Sequence, residues 1–130
     1  MSASIASLAS APSRERRRTL GVSCGAHALH DGFTDLIYVL LPIWQAQFGL
    51  GYAQVGALRA LYAGTAAAFQ VPAGMLAERT SPRTVLAAGT ALAALGYLLA
   101  GASTGFALLA AALVAGGLGS SVQHPVASSL

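Results

Sequence analysis

Residues 84–100 read TVLAAGTALAALGYLLA, a run without one acidic or basic side chain. A helix needs about 20 mostly apolar residues to cross a bilayer core, and about 17 are enough for the shortest spans. Just before the run stands AERTSPR at residues 77–83, and just after it stands GASTG at residues 101–105. The first break holds Glu78, Arg79 and Arg83 and a helix-stopping Ser81-Pro82, whereas the second holds no charge. Working outward, three more long apolar stretches appear at about residues 20–45, 52–76 and 106–127, with another uncharged break, AQFGLG, at residues 46–51. The expectation is an all-α polytopic membrane protein with four transmembrane helices.

Composition agrees with that expectation. Of 130 residues, 55% are hydrophobic and 8% are charged, against roughly a quarter charged in soluble domains. So little charge cannot cover a water-facing surface. The 15 glycines suit membrane helices, whose backbones associate through close approach because lipid supplies no hydrophobic drive.

The formal charge of +3 is unevenly placed, with Arg14, Arg16, Arg17 and Arg18 ahead of the first apolar stretch. A nucleic-acid interface would need basic residues continuing over a folded face, and only Arg59, Arg79 and Arg83 follow. Nucleic acid is therefore not an expected partner. A small, polar, arginine-bearing start also resembles a targeting peptide, but the apolar run behind it carries His27, His30, Asp31 and Asp35 and closes on no A-x-A cleavage pattern. Residues 1–18 are expected to form a disordered cytoplasmic tail, and residues 19–130 part of a membrane domain. Arginine is retained on the cytoplasmic side, so the tail and residues 77–83 face the cytoplasm, the uncharged breaks face out, and four spans return the C-terminal end inside. Cys24 is the one cysteine, which excludes an intrachain disulfide and a cysteine-based metal site.

Ionisable groups in a membrane cost several kcal/mol unless they face a bundle interior or a cavity, so they mark where function resides. On a helical wheel of about 100° per residue, His27, His30, Asp31, Thr34, Asp35, Tyr38 and Gln45 fall within an arc of roughly 140°. One face of the first span thus lines water, substrate or a partner helix. His27 and Asp31 stand four apart, as do Asp31 and Asp35, one turn apart on that face. An imidazole beside a carboxylate in a low-dielectric cavity can exchange protons near neutral pH. The plainer alternative is that the histidines lie near the cytoplasmic interface and bond to backbone or water.

The second span has one charge, Arg59, on a face with Tyr62, Ala66 and Gln70. Three readings stay open for it: pairing with Asp35, binding an anionic substrate, or extending outward to the interface. The third span is read as packing or facing lipid. In the fourth, GGLGSSVQHP at residues 116–125 places Gly117, Ser120, Ser121, His124 and Ser128 on one face. Pro125 must open a backbone hydrogen bond near His124. Gly117, Gly119 and Pro125 read as close packing with a kink, and His124 as a further polar group on the pathway. No phosphate loop is implied, since the run lacks the strand-to-helix turn and the lysine.

The second break, GMLAERTSPR at residues 74–83, resembles the loop between the second and third helices of the major facilitator superfamily. Gly74, Arg79 and Arg83 match that pattern, Glu78 replaces an aspartate, and Ser81-Pro82 departs from it. The resemblance implies that this loop latches the two halves of a transporter on the cytoplasmic side. His27 with Asp31, then Pro42, Gln70, Gly74, Gly119-Ser120-Ser121-Val122 and His124-Pro125 are similar to the fosmidomycin resistance branch. Asp35 and Arg59 stand where uncharged residues are expected, Pro72 is displaced by one, Gln123 replaces an aromatic residue, and Val126 replaces an acidic one.

By that resemblance the chain is helices 1–4 of a twelve-helix fold, an N-terminal fragment of a multi-pass bacterial inner-membrane efflux antiporter. Its cytoplasmic N-terminus, a small-molecule substrate, protons as the coupling ion and the missing remainder of the transporter follow from the same likeness. The proton and substrate pathway would comprise His27, His30, Asp31, Asp35, Arg59, Gln70 and His124, with no cofactor. Two other readings stay open: a complete four-span subunit of a small dimeric exporter, and a non-transporting membrane scaffold. The former group carries a membrane glutamate in its first helix that is absent here. An enzyme is not expected, because His27, His30 and Asp31 on one helix diverge too widely to close a metal site alone.

Overall fold

The computed structural model describes residues 14–127. Among them all regular structure is helical: α1 (Arg14–Phe48), α2 (Tyr52–Arg79), α3 (Pro82–Gly101), α4 (Phe106–Ser120) and α5 (Gln123–Ala127). Residues 1–13 of the expected tail, and Ser128, lie outside the described residues. Arg14–Arg18, expected in that tail, instead form the opening turns of α1. Arginine is among the better helix formers, and Glu15 in the first turn complements the helix dipole.

Each turn has a local cause. Gly49, with φ of 62°, ends α1 in a left-handed conformation that side chains with a Cβ adopt poorly. The amide of Leu50 reaches back to the Gln45 carbonyl at 3.0 Å, the bond of a Schellman motif. At the start of α2 the Gln54 side chain accepts from the Gly51 amide at 3.0 Å. Pro82 opens α3 at its first turn, where a missing N–H costs nothing, and it holds Ser81 extended. Between α3 and α4, the Ser103 hydroxyl donates to the Ala100 carbonyl at 2.7 Å.

The kink expected near His124 falls earlier. α4 stops at Ser120, Ser121 and Val122 form a turn, and α5 resumes at Gln123. Pro125 has no N–H for the carbonyl four residues back, and its ring crowds that carbonyl, which belongs to Ser121. The Ser121 hydroxyl donates to the Leu118 carbonyl at 2.7 Å.

The helices pack around α4. Its glycines meet α3, where a Cβ on Gly96 would stand 2.5 Å from the Gly116 nitrogen, and one on Gly119 would overlap the Ala93 backbone. On its other side, a Cβ on Gly117 would lie 2.5 Å from the Tyr62 carbonyl oxygen of α2. Close backbone approach of this kind is how helices associate in lipid. One apolar cluster joins Ile37, Leu41 and Trp44 of α1 to Leu58, Leu109 and Leu113, and a second joins Ala73, Ala77 and Val85 to Val122 and Val126. Large apolar side chains also stand outside: Val22, Val39, Val71 and Leu98 are all exposed.

Of the four expected spans, residues Pro82–Gly101 and Phe106–Val126 form helices long and apolar enough to cross a membrane. α1 and α2, at 35 and 28 residues, have the length, and polar residues dilute their apolar character.

Candidate functional site

The stripe on α1 supplies the first half of the site. His27 Nε2 lies 3.4 Å from Asp31 Oδ2, one turn along the helix, and both side chains are about half exposed at 53% and 54%. The second half comes from α5, where the His124 ring meets that of His27 edge to face at 6.1 Å between centroids and 72° between planes. The break at Ser121 and Val122 lies just before this contact, so the last helix turns where its imidazole approaches the first helix. Two imidazoles and a carboxylate can hold, pass and release a proton without a metal or cofactor. Among the described residues no three histidine, cysteine, aspartate or glutamate side chains group closely enough to hold a metal ion. The His30 side chain lies outside the described residues.

Arg59 does not reach Asp35. Its guanidinium donates to the Tyr38 hydroxyl at 3.2 Å and lies 5.2 Å from the Tyr38 ring centroid, a cation–π contact. Counted from Gly49, Tyr38 and Arg59 stand 11 and 10 residues away and Asp35 stands 14, so in an antiparallel hairpin the tyrosine sits at the level of the arginine. Asp35 is exposed on the same α1 face. Gln70 is half-buried on α2, and one turn on, a Cβ at Gly74 would touch Pro125 at 3.4 Å. Glu78, Arg79 and Arg83 lie exposed around the α2–α3 turn. The site residues thus divide into His27, Asp31 and His124 together, Arg59 with Tyr38 apart from them, and a charged turn apart from both.

A buried polar core joins the helices behind this face. Tyr62 Oη and Ser120 Oγ lie 2.9 Å apart. The Tyr97 ring sits 6.1 Å from that of Tyr62 and stacks on Phe33 of α1 at 6.2 Å. Gln123 donates through Nε2 to Thr90 Oγ1 at 3.0 Å, and Thr90 in turn donates to the Leu86 carbonyl at 2.9 Å. Gln123 Oε1 and Tyr97 Oη are buried without a well-formed hydrogen bond. Sequence reading missed Thr90 and Tyr97 because the third span was read as packing or lipid-facing, and it noted Gln123 only as a departure from an aromatic residue. The available signal was a tyrosine and a threonine interrupting the alanine–leucine–glycine run at residues 86–100.

The profile of the Major Facilitator Superfamily matches residues 23–130, a stretch that contains every one of these residues. The chain belongs to the major facilitator superfamily. It is 33% identical over 111 residues to the fosmidomycin resistance protein of Escherichia coli (strain K12), an alignment covering 84% of this chain and 27% of that protein. The chain thus spans about a quarter of the length of this relative. No solved structure matches it significantly. The likeness to the fosmidomycin resistance branch, read from His27, Asp31, Gly74 and the glycine–serine and histidine–proline patterns, agrees with this relative.

Proposed function

We propose that this superfamily chain is the N-terminal part of a bacterial inner-membrane exporter, a transporter rather than an enzyme, that moves small molecules by alternating access against an inward flow of protons. In this reading α1, α2, α3 and α4 with α5 are its first four spans, and both ends of the chain face the cytoplasm. The observation that carries it is the convergence of His27, Asp31 and His124 from the first and last helices. Groups that trade protons, placed where two helices meet at a break, change their spacing when the helices move. Asp31, with His27 and Asp35, carries the proton, and His124 reports the position of α5. Arg59, held by Tyr38, and Gln70 line the substrate path, with the missing remainder of the transporter completing the cavity. Gly74, Glu78, Arg79 and Arg83 latch the halves from the cytoplasmic side.

The test is Asp31→Asn in the protein expressed from its complete reading frame, with efflux driven by an imposed pH gradient in inverted vesicles. Loss of pH-driven transport with normal membrane insertion is expected. Full transport in the variant would remove the proton role from Asp31.

A further inference from the structure

The N-terminal turns of α1 carry a separate feature that the transport reading does not use. Arg14, Arg17 and Arg18 lie within about 100° of one another on the helix wheel, all exposed, with Arg16 exposed on the opposite side. At spacings of three and four residues like charges repel, and Glu15 is the one acidic residue within this group. On the Arg18 side of this arc stand Leu29 and Val22, about 20° and 40° round the wheel from Arg18 and 58% and 67% exposed. Cations above an exposed apolar strip on one helix match an amphiphile with an anionic head.

The contacts between helices set the depth of this face. His27 meets His124, and Gly74 meets Pro125, so His27 and Gly74 lie near one level. At a rise of 1.5 Å per residue, Arg79 stands roughly 7 Å beyond that level, Arg18 roughly 13 Å and Arg14 roughly 19 Å. α1 therefore overshoots the α2–α3 turn by roughly 6–12 Å, comparable to the headgroup layer, about 5–8 Å on each side of the hydrocarbon core. This end of the molecule gathers Arg14, Arg16, Arg17, Arg18, Arg79 and Arg83 against Glu15 and Glu78, six positive minus two negative for a net +4. The opposite turns carry no charge.

We propose that this face of α1 binds an anionic phospholipid of the cytoplasmic leaflet, with Arg14, Arg17 and Arg18 on the headgroup phosphate and Val22 and Leu29 along an acyl chain. Arginine suits the role because its planar fork bonds two phosphate oxygens at once and keeps its charge. The inference rests on the membrane placement proposed above, and it does not depend on proton coupling. Failure of the Asp31 test leaves it standing.

The experiment is native mass spectrometry of the full chain released from nanodiscs that contain phosphatidylglycerol and phosphatidylcholine with identical acyl chains. Selective retention of phosphatidylglycerol is expected. Each arginine near an anionic surface is worth about fivefold in affinity, so losing the three that meet the headgroup in R14Q/R16Q/R17Q/R18Q should weaken retention about a hundredfold. The charge-preserving R14K/R16K/R17K/R18K should keep most of it, and R79Q/R83Q should lose far less than the four-glutamine variant. Carbonate extraction of the same membranes reads insertion separately. Retention of both lipids alike by the wild-type chain, or unchanged selectivity in the four-glutamine variant, overturns the proposal. Displacement of the lipid by free inorganic phosphate would also overturn it, because the apolar strip would then contribute nothing.

Discussion

Gly96→Ala is the sharpest probe of how α3 and α4 cross. A Cβ at this position would stand 2.5 Å from the Gly116 nitrogen, 2.6 Å from its Cα and 2.9 Å from the Ala112 oxygen. Non-bonded heavy atoms settle at about 3.5–4.0 Å, so the two helices must part by about 1 Å. All three obstacles are backbone, and no rotamer change relieves them. Nor can α4 retreat freely, since its opposite face is set against α2, where Gly117 meets the Tyr62 carbonyl. Overpacking of this kind costs about 1–3 kcal/mol. Gly64→Ala is the matched control: it lies inside α2 with nothing within 4 Å of its added Cβ, and relief of backbone entropy should stabilise by about 0.5–1 kcal/mol. The same one-methyl change should thus move stability in opposite directions. Reversible SDS unfolding of the chain in mixed micelles, followed by circular dichroism, measures both. A Gly96→Ala chain as stable as wild type would refute the close crossing.

Other contacts yield smaller, signed effects. Tyr62→Phe leaves Ser120 Oγ buried without its 2.9 Å partner and should destabilise by about 1 kcal/mol in the same unfolding assay, with interhelical hydrogen bonds in membranes averaging about 0.6 kcal/mol. Gln123→Leu should be neutral or stabilising. It removes the orphaned Oε1 together with the bond to Thr90, and Thr90 keeps its own bond to Leu86. Gly49→Ala should cost about 1 kcal/mol, because its φ of 62° disfavours any residue with a Cβ; thermal unfolding in detergent reads the loss.

What could be read from the sequence was whatever depends on near neighbours along the chain. The turn at Gly49, the stop at Ser81-Pro82 and the disturbance caused by Pro125 are all written in local residue types, and the helices end close to where those types place them. The His27–Asp31 pair was equally legible, since a four-residue spacing brings two side chains together on any helix. Partners from different helices were not. Arg59 had three readings because hairpin register decides which α1 residue it meets, and the Gly49 turn sets Tyr38 rather than Asp35 opposite it. The contact of His27 with His124 depends on how α5 turns after the break at Ser121 and Val122, which no single-helix wheel reports. Thr90 was passed over because its role is conferred by Gln123, 33 residues away.

The proposed function depends on a four-span topology with both ends in the cytoplasm, and the lone Cys24 makes that proposal directly testable. In a Cys24→Ser background, Gln47→Cys, Thr80→Cys and Thr104→Cys each place one thiol at an exposed position beside a different turn. A membrane-impermeant maleimide added to intact cells should label the Gln47→Cys and Thr104→Cys chains, and should label the Thr80→Cys chain only after the membrane is opened. Labelling of Thr80→Cys in intact cells, or protection of either of the other two, would contradict four spans with both ends in the cytoplasm.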